Sequence, residues 1–301
     1  MKNLKTVTFV VILLVFMNAN LLSQTLLSPY LTGSKNTAIQ EISLQITQAL
    51  KTGKFEITGN YNPAKNTNYQ VITFTNEKLK EIVYQTPYYC YPAMVLKIAL
   101  VSEGASTQII LLNPEYLINA FVANDITAEK LTELMQVSKD VLTVLKTIGI
   151  QLTKSGGELD SKVVQNFSYR PGSPDYKTLN EIAVFNSFQE ALSTINQNLE
   201  SRKSENIKVY EITNTTSKVA IIGVGMFHVT KGENNFISNI NNNIIATLPF
   251  EIIIADNKVF LHDKAFRIPL FFPELQQVNF PNTMRNTKFI EEQLLIITQK
   301  E

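Results

Sequence analysis

Chemistry at neutral pH has few side chains to draw on in this chain of 301 residues, which carries two imidazoles, His228 and His262, and one thiol, Cys90. Acid–base or metal work would need a histidine to converge with a carboxylate such as Asp256 or Asp263. His228, in a loop beside Met226 and Phe227, is the better placed of the two; His262 falls on a strand. The run Tyr88-Tyr89-Cys90-Tyr91 offers another kind of chemistry, since tyrosines present an apolar face and a hydroxyl suited to ligand contact. A reactive Cys90 would need cations to lower its pKa, and the nearest in sequence are Lys78 and Lys80. Gly-x-Ser-x-Gly, His-Glu-x-x-His, phosphate-loop and Cys-x-x-Cys signatures are absent, and no metal site is expected. Gly223-Val224-Gly225 follows a strand but lacks the third glycine of a dinucleotide loop, so it reads as a close backbone turn. Asn166-Phe167-Ser168 and Asn214-Thr215-Thr216 fit glycosylation sequons.

Twenty-seven Lys and Arg stand against 26 Asp and Glu, a balance that argues against nucleic-acid binding. With 45% hydrophobic and 18% charged residues, the chain has enough apolar material for two cores. Lys2 and Lys5 precede an apolar run from Val7 to Met17, followed by small or polar residues through Ser23. Residues 1–23 therefore read as a signal peptide, and the mature protein is expected to be exported, periplasmic or extracellular, with no transmembrane segment after cleavage. One cysteine cannot form an intramolecular disulfide, so the cores must supply the stability.

The elements that must position these residues occur twice. Thr37-Ala-Ile-Gln40-Glu41 and Asn186-Ser-Phe-Gln189-Glu190 each open an apolar helical run, about 150 positions apart, and Ile109 to Tyr116 recurs as Val259 to Phe266 at nearly the same spacing. In the first copy, Thr37 and Gln40 have capping-box spacing and Gly53 stops the helix. A strand at Phe55 to Ile57, another at Tyr69 to Phe74, a short helix from Asn76 to Tyr84, and strands Ala93 to Val101 and Thr107 to Leu112 follow. The second copy repeats the order: helix Phe188 to Leu199, strands Ile207 to Ile212 and Lys218 to Val224, a helix near Glu233 to Ile244, and strands Phe250 to Ala255 and Lys258 to His262. Leu112 is the counterpart of His262. Between the copies Asp125 can cap a helix that ends at Gly149, and Lys154 to Asp175, rich in Gly and Pro, reads as a linker. A tail ends in a helix from Phe289 to Ile297.

This order resembles the DUF302 family, a domain family of unknown function. The resemblance is carried by Tyr69 to Asn76, Pro92 to Leu100 and Ile109 to Leu117, and by Val219 to Gly225, Leu248-Pro249 to Ile254 and Val259 to Phe266. It implies an α+β fold of two similar small domains, each a curved antiparallel sheet with helices on one face, arranged as an internal pseudo-dimer. The expected boundaries are 34–122 and 181–273, with 123–180 as connecting helix and linker and 274–301 as the tail. The Gly-Asn-Pro that the family often carries after its second strand is Thr75-Asn76-Glu77 in one copy and Gly225-Met226-Phe227 in the other. Clefts form at interfaces between domains, which places a small apolar or aromatic ligand, or a protein partner, near Tyr89, Tyr91, Phe227 and His228. The reading is a non-catalytic binding or interaction protein; its rival is an envelope enzyme using His228 with a nearby carboxylate.

Overall fold

In the computed structural model, the protein is described over residues 25–202, 205–229, 232–238, 242–276 and 288–299. The signal peptide read at residues 1–23 lies outside them. The fold is α+β with antiparallel sheets. The first unit opens with β1 (Leu26–Leu27) and β2 (Tyr30–Lys35), then α1 (Ile39–Thr52), β3 (Glu56–Tyr61), β4 (Tyr69–Thr75), α2 (Glu77–Val83), β5 (Leu96–Glu103), β6 (Ser106–Leu112) and α3 (Pro114–Phe121). Its sheet runs β3-β4-β5-β6-β2, extended at the far edge by β7 (Thr153–Ser155). The long α4 (Ala128–Thr147) packs on α1, and β8 (Leu159–Asp160) pairs with β1 before α5 (Ser161–Gln165).

The second unit follows the same plan. β9 (Leu179–Val184), α6 (Phe188–Ser201), β10 (Asn206–Asn214), β11 (Val219–Met226), α7 (Glu233–Ile237), β12 (Phe250–Ala255), β13 (Lys258–His262) and α8 (Lys264–Phe271) build a sheet of order β10-β11-β12-β13-β9. Position for position this is the order of the first sheet, which is compatible with a repeated unit. α9 (Lys288–Ile296) packs beside β11 and α8.

Local chemistry departs from the sequence reading at several places. Thr37 does not cap α1: Ala38 holds the N-cap without a side-chain bond, and the Thr37 carbonyl instead accepts from Thr107 Oγ1 at 2.7 Å. α6 does have its cap, since Ser187 Oγ accepts from Glu190 N at 3.1 Å while Glu190 accepts from Asn186 N. Thr127, not Asp125, caps α4, whose stop falls near Gly149 at φ +77° as read. The expected helix from Glu233 to Ile244 is divided between α7 and a 3₁₀ turn at Asn242–Thr247. Tyr88–Met94 also forms a 3₁₀ turn, so β5 begins at Leu96 rather than Ala93. The stretch read as a linker carries β7, β8 and α5. Each sheet has a fifth strand that the sequence reading leaves out, β2 and β9, both preceding the expected domain starts or lying at them.

β5, β11 and β12 are buried along nearly their whole length, which is why they read as continuous apolar runs. Each sheet is covered by its own helices and by the other unit: the turn Tyr88–Met94 packs on β11 and β12, and the turn Asn242–Thr247 packs reciprocally on β4, β5 and β6. The edge strands β3 and β10 meet at matching bulges, after Ile57 and after Lys208. Gly59 makes that approach possible, because a Cβ there would lie 2.4 Å from the Val209 carbonyl oxygen. At Gly223 a Cβ would lie 2.2 Å from the Tyr210 ring, so glycine is what lets that tyrosine lie across its neighbour.

Candidate functional site

The junction gathers ionisable groups into three clusters, and the central one joins β5 to β12. Lys97 stands opposite Thr73 in one sheet and Glu251 opposite Gly223 in the other, the same ladder position in each. The two side chains form a buried ion pair, and Arg267 from α8 pairs with the other carboxylate oxygen. Lys97 also donates to the Thr247 and Pro249 carbonyls at 3.3 and 3.1 Å, which occupies its three N–H donors. Tyr210 donates to Glu251 at 3.2 Å, and Arg267 donates to the Thr247 carbonyl at 2.7 Å with its guanidinium 4.4 Å from the Phe250 ring centre. Burial alone would raise the Glu251 carboxyl, but Arg267 and then Lys97 outweigh it and hold the group below its ordinary range. Burial pulls Lys97 down to about 8 against the attraction of Glu251.

His262 borders this cluster. Its Nε2 is 3.0 Å from the Tyr176 carbonyl, and its ring meets Phe121 edge-on at 5.2 Å. Burial, aided by Arg267, lowers it to about 4, so it is neutral at pH 7. The cavity that Lys97, Glu251, His262 and Arg267 line with Leu117 and Phe121 has a volume of about 10 Å³, room for about one water.

A second cluster ties the turn of Tyr88–Met94 to the connecting segment. Asp125 accepts from Tyr89 Oη at 3.0 Å and from Tyr176 Oη at 2.6 Å, and the two rings pack edge-on at 5.6 Å. This pairing explains why Asp125 is not spent as a helix cap. Tyr88 stacks on Phe260 of the other unit at 5.3 Å. Cys90 is fully buried here, and burial pushes its thiol up to about 12, so the reactive reading has no support in its surroundings. The native protein is expected to react with a thiol-specific reagent at least about 100-fold more slowly than the same protein in denaturant, a comparison that absorbance of the released thiolate would make directly. Equal rates would mean that Cys90 opens to solvent in the native state.

The third cluster lies at the C-terminal end of β11, beside Met226. Glu233, first residue of α7, is 0% exposed, and accepts from Tyr61 Oη at 2.8 Å and Ala64 N at 2.9 Å, both of the first unit. Burial raises its carboxyl to about 7 despite those hydrogen bonds and one from the Met226 backbone.

The four residues singled out in the sequence go to different partners. Tyr89 is half-exposed against Asp125 and Tyr176; Tyr91 is 1% exposed beside Tyr84, ring centres 5.9 Å apart. Phe227 is half-buried under Lys65, whose Nζ is 5.0 Å from the ring centre, and half-buried His228 has its backbone packed against Gly232. Sequence reasoning gives no site role to Lys97, Glu251, Arg267 or Tyr176, reads Asp125 as a helix cap and reads Glu233 as the start of a helix. Among the described residues, no group of three or more His, Cys, Asp or Glu could hold a metal ion, and no helix is long and apolar enough to cross a membrane.

No family model and no curated protein matches the chain. Among solved structures it is similar to an uncharacterized conserved DUF302 protein from Bacillus stearothermophilus, 13% identical, with 39% of this chain and 96% of that chain covered and a TM-score of 0.34.

Proposed function

We propose that this is an exported, non-catalytic binding or interaction protein whose two DUF302-like units pair as an internal pseudo-dimer. The observation that carries the reading is how the junction's ionisable groups are used. Lys97, Glu251 and Arg267 are spent on one another and on backbone carbonyls, around a cavity with room for about one water. A site that turns over a substrate needs space beside its acid and base. Space lies instead on the outer surface: a cleft of about 650 Å³ between α1 and α4 is lined by residues such as Leu44, Gln48, Val144 and Ile148, with no titratable side chain among them. We place ligand or partner contact at half-exposed Tyr89 and, as a separate surface, at half-exposed Phe227 and His228; Tyr91 is enclosed beside Tyr84.

Native mass spectrometry of protein taken from the exported fraction, without stripping small molecules, tests the reading. The wild-type protein is expected to carry a small apolar or aromatic molecule, held at least about tenfold more weakly after Tyr89→Ala. The rival, an envelope enzyme using His228, draws its support from Glu233, a nearby carboxyl raised to about 7. A turnover activity that disappears in a folded His228→Ala variant would replace the binding reading with that one.

A further inference from the structure

Glu233 is the point where α7 of the second unit is fastened to the first. Its carboxyl is enclosed, and the groups that hold it are a phenol and backbone amides: Tyr61 Oη at 2.8 Å and Ala64 N at 2.9 Å come from the turn Tyr61–Lys65, and the Met226 backbone comes from the end of β11. Ala64 and Lys65 both take φ +55°, so the turn is held in a conformation that L residues seldom choose, presenting the Ala64 amide to the carboxyl. Gly232 lets the chain enter α7 closely, since a Cβ there would lie 2.5 Å from the Met226 carbonyl oxygen and 2.7 Å from that of His228. Among the described residues, the titratable and charged groups around this contact are Tyr61 and Lys65 on the turn, Tyr210 on β10, Glu251 on β12 and His228 on the same loop.

We infer that Glu233 is a pH-responsive latch between the units: protonated, it holds α7 and its loop on the Tyr61–Lys65 turn, and its ionisation loosens that one contact while the rest of the junction stays closed. Protonated, the carboxyl can turn its O–H to the Tyr61 oxygen, reversing that hydrogen bond, and still accept from the Ala64 amide. An anion there keeps those donors, all neutral among the described residues, but loses its hydration, and burial outweighs them. Nothing in this depends on a ligand or a catalytic role. The central cluster is a separate contact: Lys97, pulled down to about 8, begins to lose its proton by pH 8, so the strands that carry it and Glu251 are not the reference for this measurement.

Hydrogen exchange of the full chain, corrected for the intrinsic dependence on pH, reads the latch directly. With the closed group titrating at about 7 and the open group near its ordinary value, opening of Gly232–Ser238 and Tyr61–Lys65 is expected to increase about tenfold from pH 6 to pH 8. α4, which packs on α1 and carries none of these groups, serves as the internal reference and is expected to keep its protection. Glu233→Gln retains the acceptor oxygen and is expected to change less than about twofold between the two pH values. Tyr61→Phe removes one donor but leaves the carboxyl titratable, and is expected to open more at both pH values while keeping the dependence. Equal corrected exchange of the wild-type segments at pH 6 and pH 8 would overturn the latch, as would an undiminished dependence in Glu233→Gln. Neither result bears on ligand binding at Tyr89.

Discussion

Glu251→Gln is expected to destabilise the protein by about 3–5 kcal/mol at pH 7, a cost large enough to unfold many domains outright. The substitution keeps size and one acceptor oxygen, but leaves Lys97 and Arg267 facing each other in the interior with no counter-charge. Lys97 is only 3% exposed and its donors are already fixed on the Thr247 and Pro249 carbonyls, so it cannot turn to solvent. Lys97→Met should cost less, because Glu251 keeps Arg267 and the Tyr210 hydroxyl. Denaturant unfolding of the two variants beside the wild type gives both values. A loss under about 1 kcal/mol for Glu251→Gln would mean that water reaches the cluster and that the trio does not lock the junction.

The position of that pair explains a property of the junction. Lys97 and Glu251 occupy one ladder position in two sheets of the same strand order. In a symmetric pairing of identical units the same residue would meet itself across the axis, lysine on lysine or glutamate on glutamate. Here the units differ at this position, and unlike charges meet. The same division holds beside it: Gly59 opposite Thr73 makes room for the Val209 backbone, while Gly223 opposite Tyr210 makes room for a ring.

Much of this was legible in the sequence, and the failures have physical causes. Strands buried on both faces read as apolar runs; β2 and β9 do not, because Gly33-Ser34-Lys35 and Asn180-Glu181 look like loop, and only pairing with β6 and β13 makes them strands. Asp125 reads as a helix cap since nothing local reveals two phenols arriving from residues 89 and 176. The central trio did leave a signal. A lone lysine in Leu96-Lys97-Ile98-Ala99-Leu100 and a lone glutamate in Phe250-Glu251-Ile252-Ile253-Ile254 are opposite charges in corresponding apolar strands, and such charges are seldom buried unless paired. Tyr91 and Cys90 share a motif with half-exposed Tyr89, yet the 3₁₀ turn sends them inward, a direction that helical or strand periodicity does not specify.

His262 makes part of the protein's stability acid-sensitive. Burial holds its folded-state pKa at about 4 against about 6.5 for an ordinary imidazole, so the unfolded chain takes up a proton between those values that the folded protein refuses. The contribution is therefore intact above pH 6.5 and is lost as pH falls toward 4, reaching about 3 kcal/mol at one 1.36 kcal/mol step per pH unit. Glu233, raised to about 7, works in the other direction: the unfolded chain releases its proton first, and stability falls as pH rises from the ordinary carboxylate range to about 7. The two effects oppose each other in wild-type protein, so the test must isolate the histidine. His262→Gln keeps a donor for the Tyr176 carbonyl and removes the titration, while Glu233 contributes equally to both proteins. The stability difference between variant and wild type should move in favour of the variant by about 2–3 kcal/mol from pH 7 to pH 4.5. Parallel pH profiles would show that His262 is already reached by solvent and protonated in the folded state, and the closed junction around Phe121 and Arg267 would then have to be open at its edge.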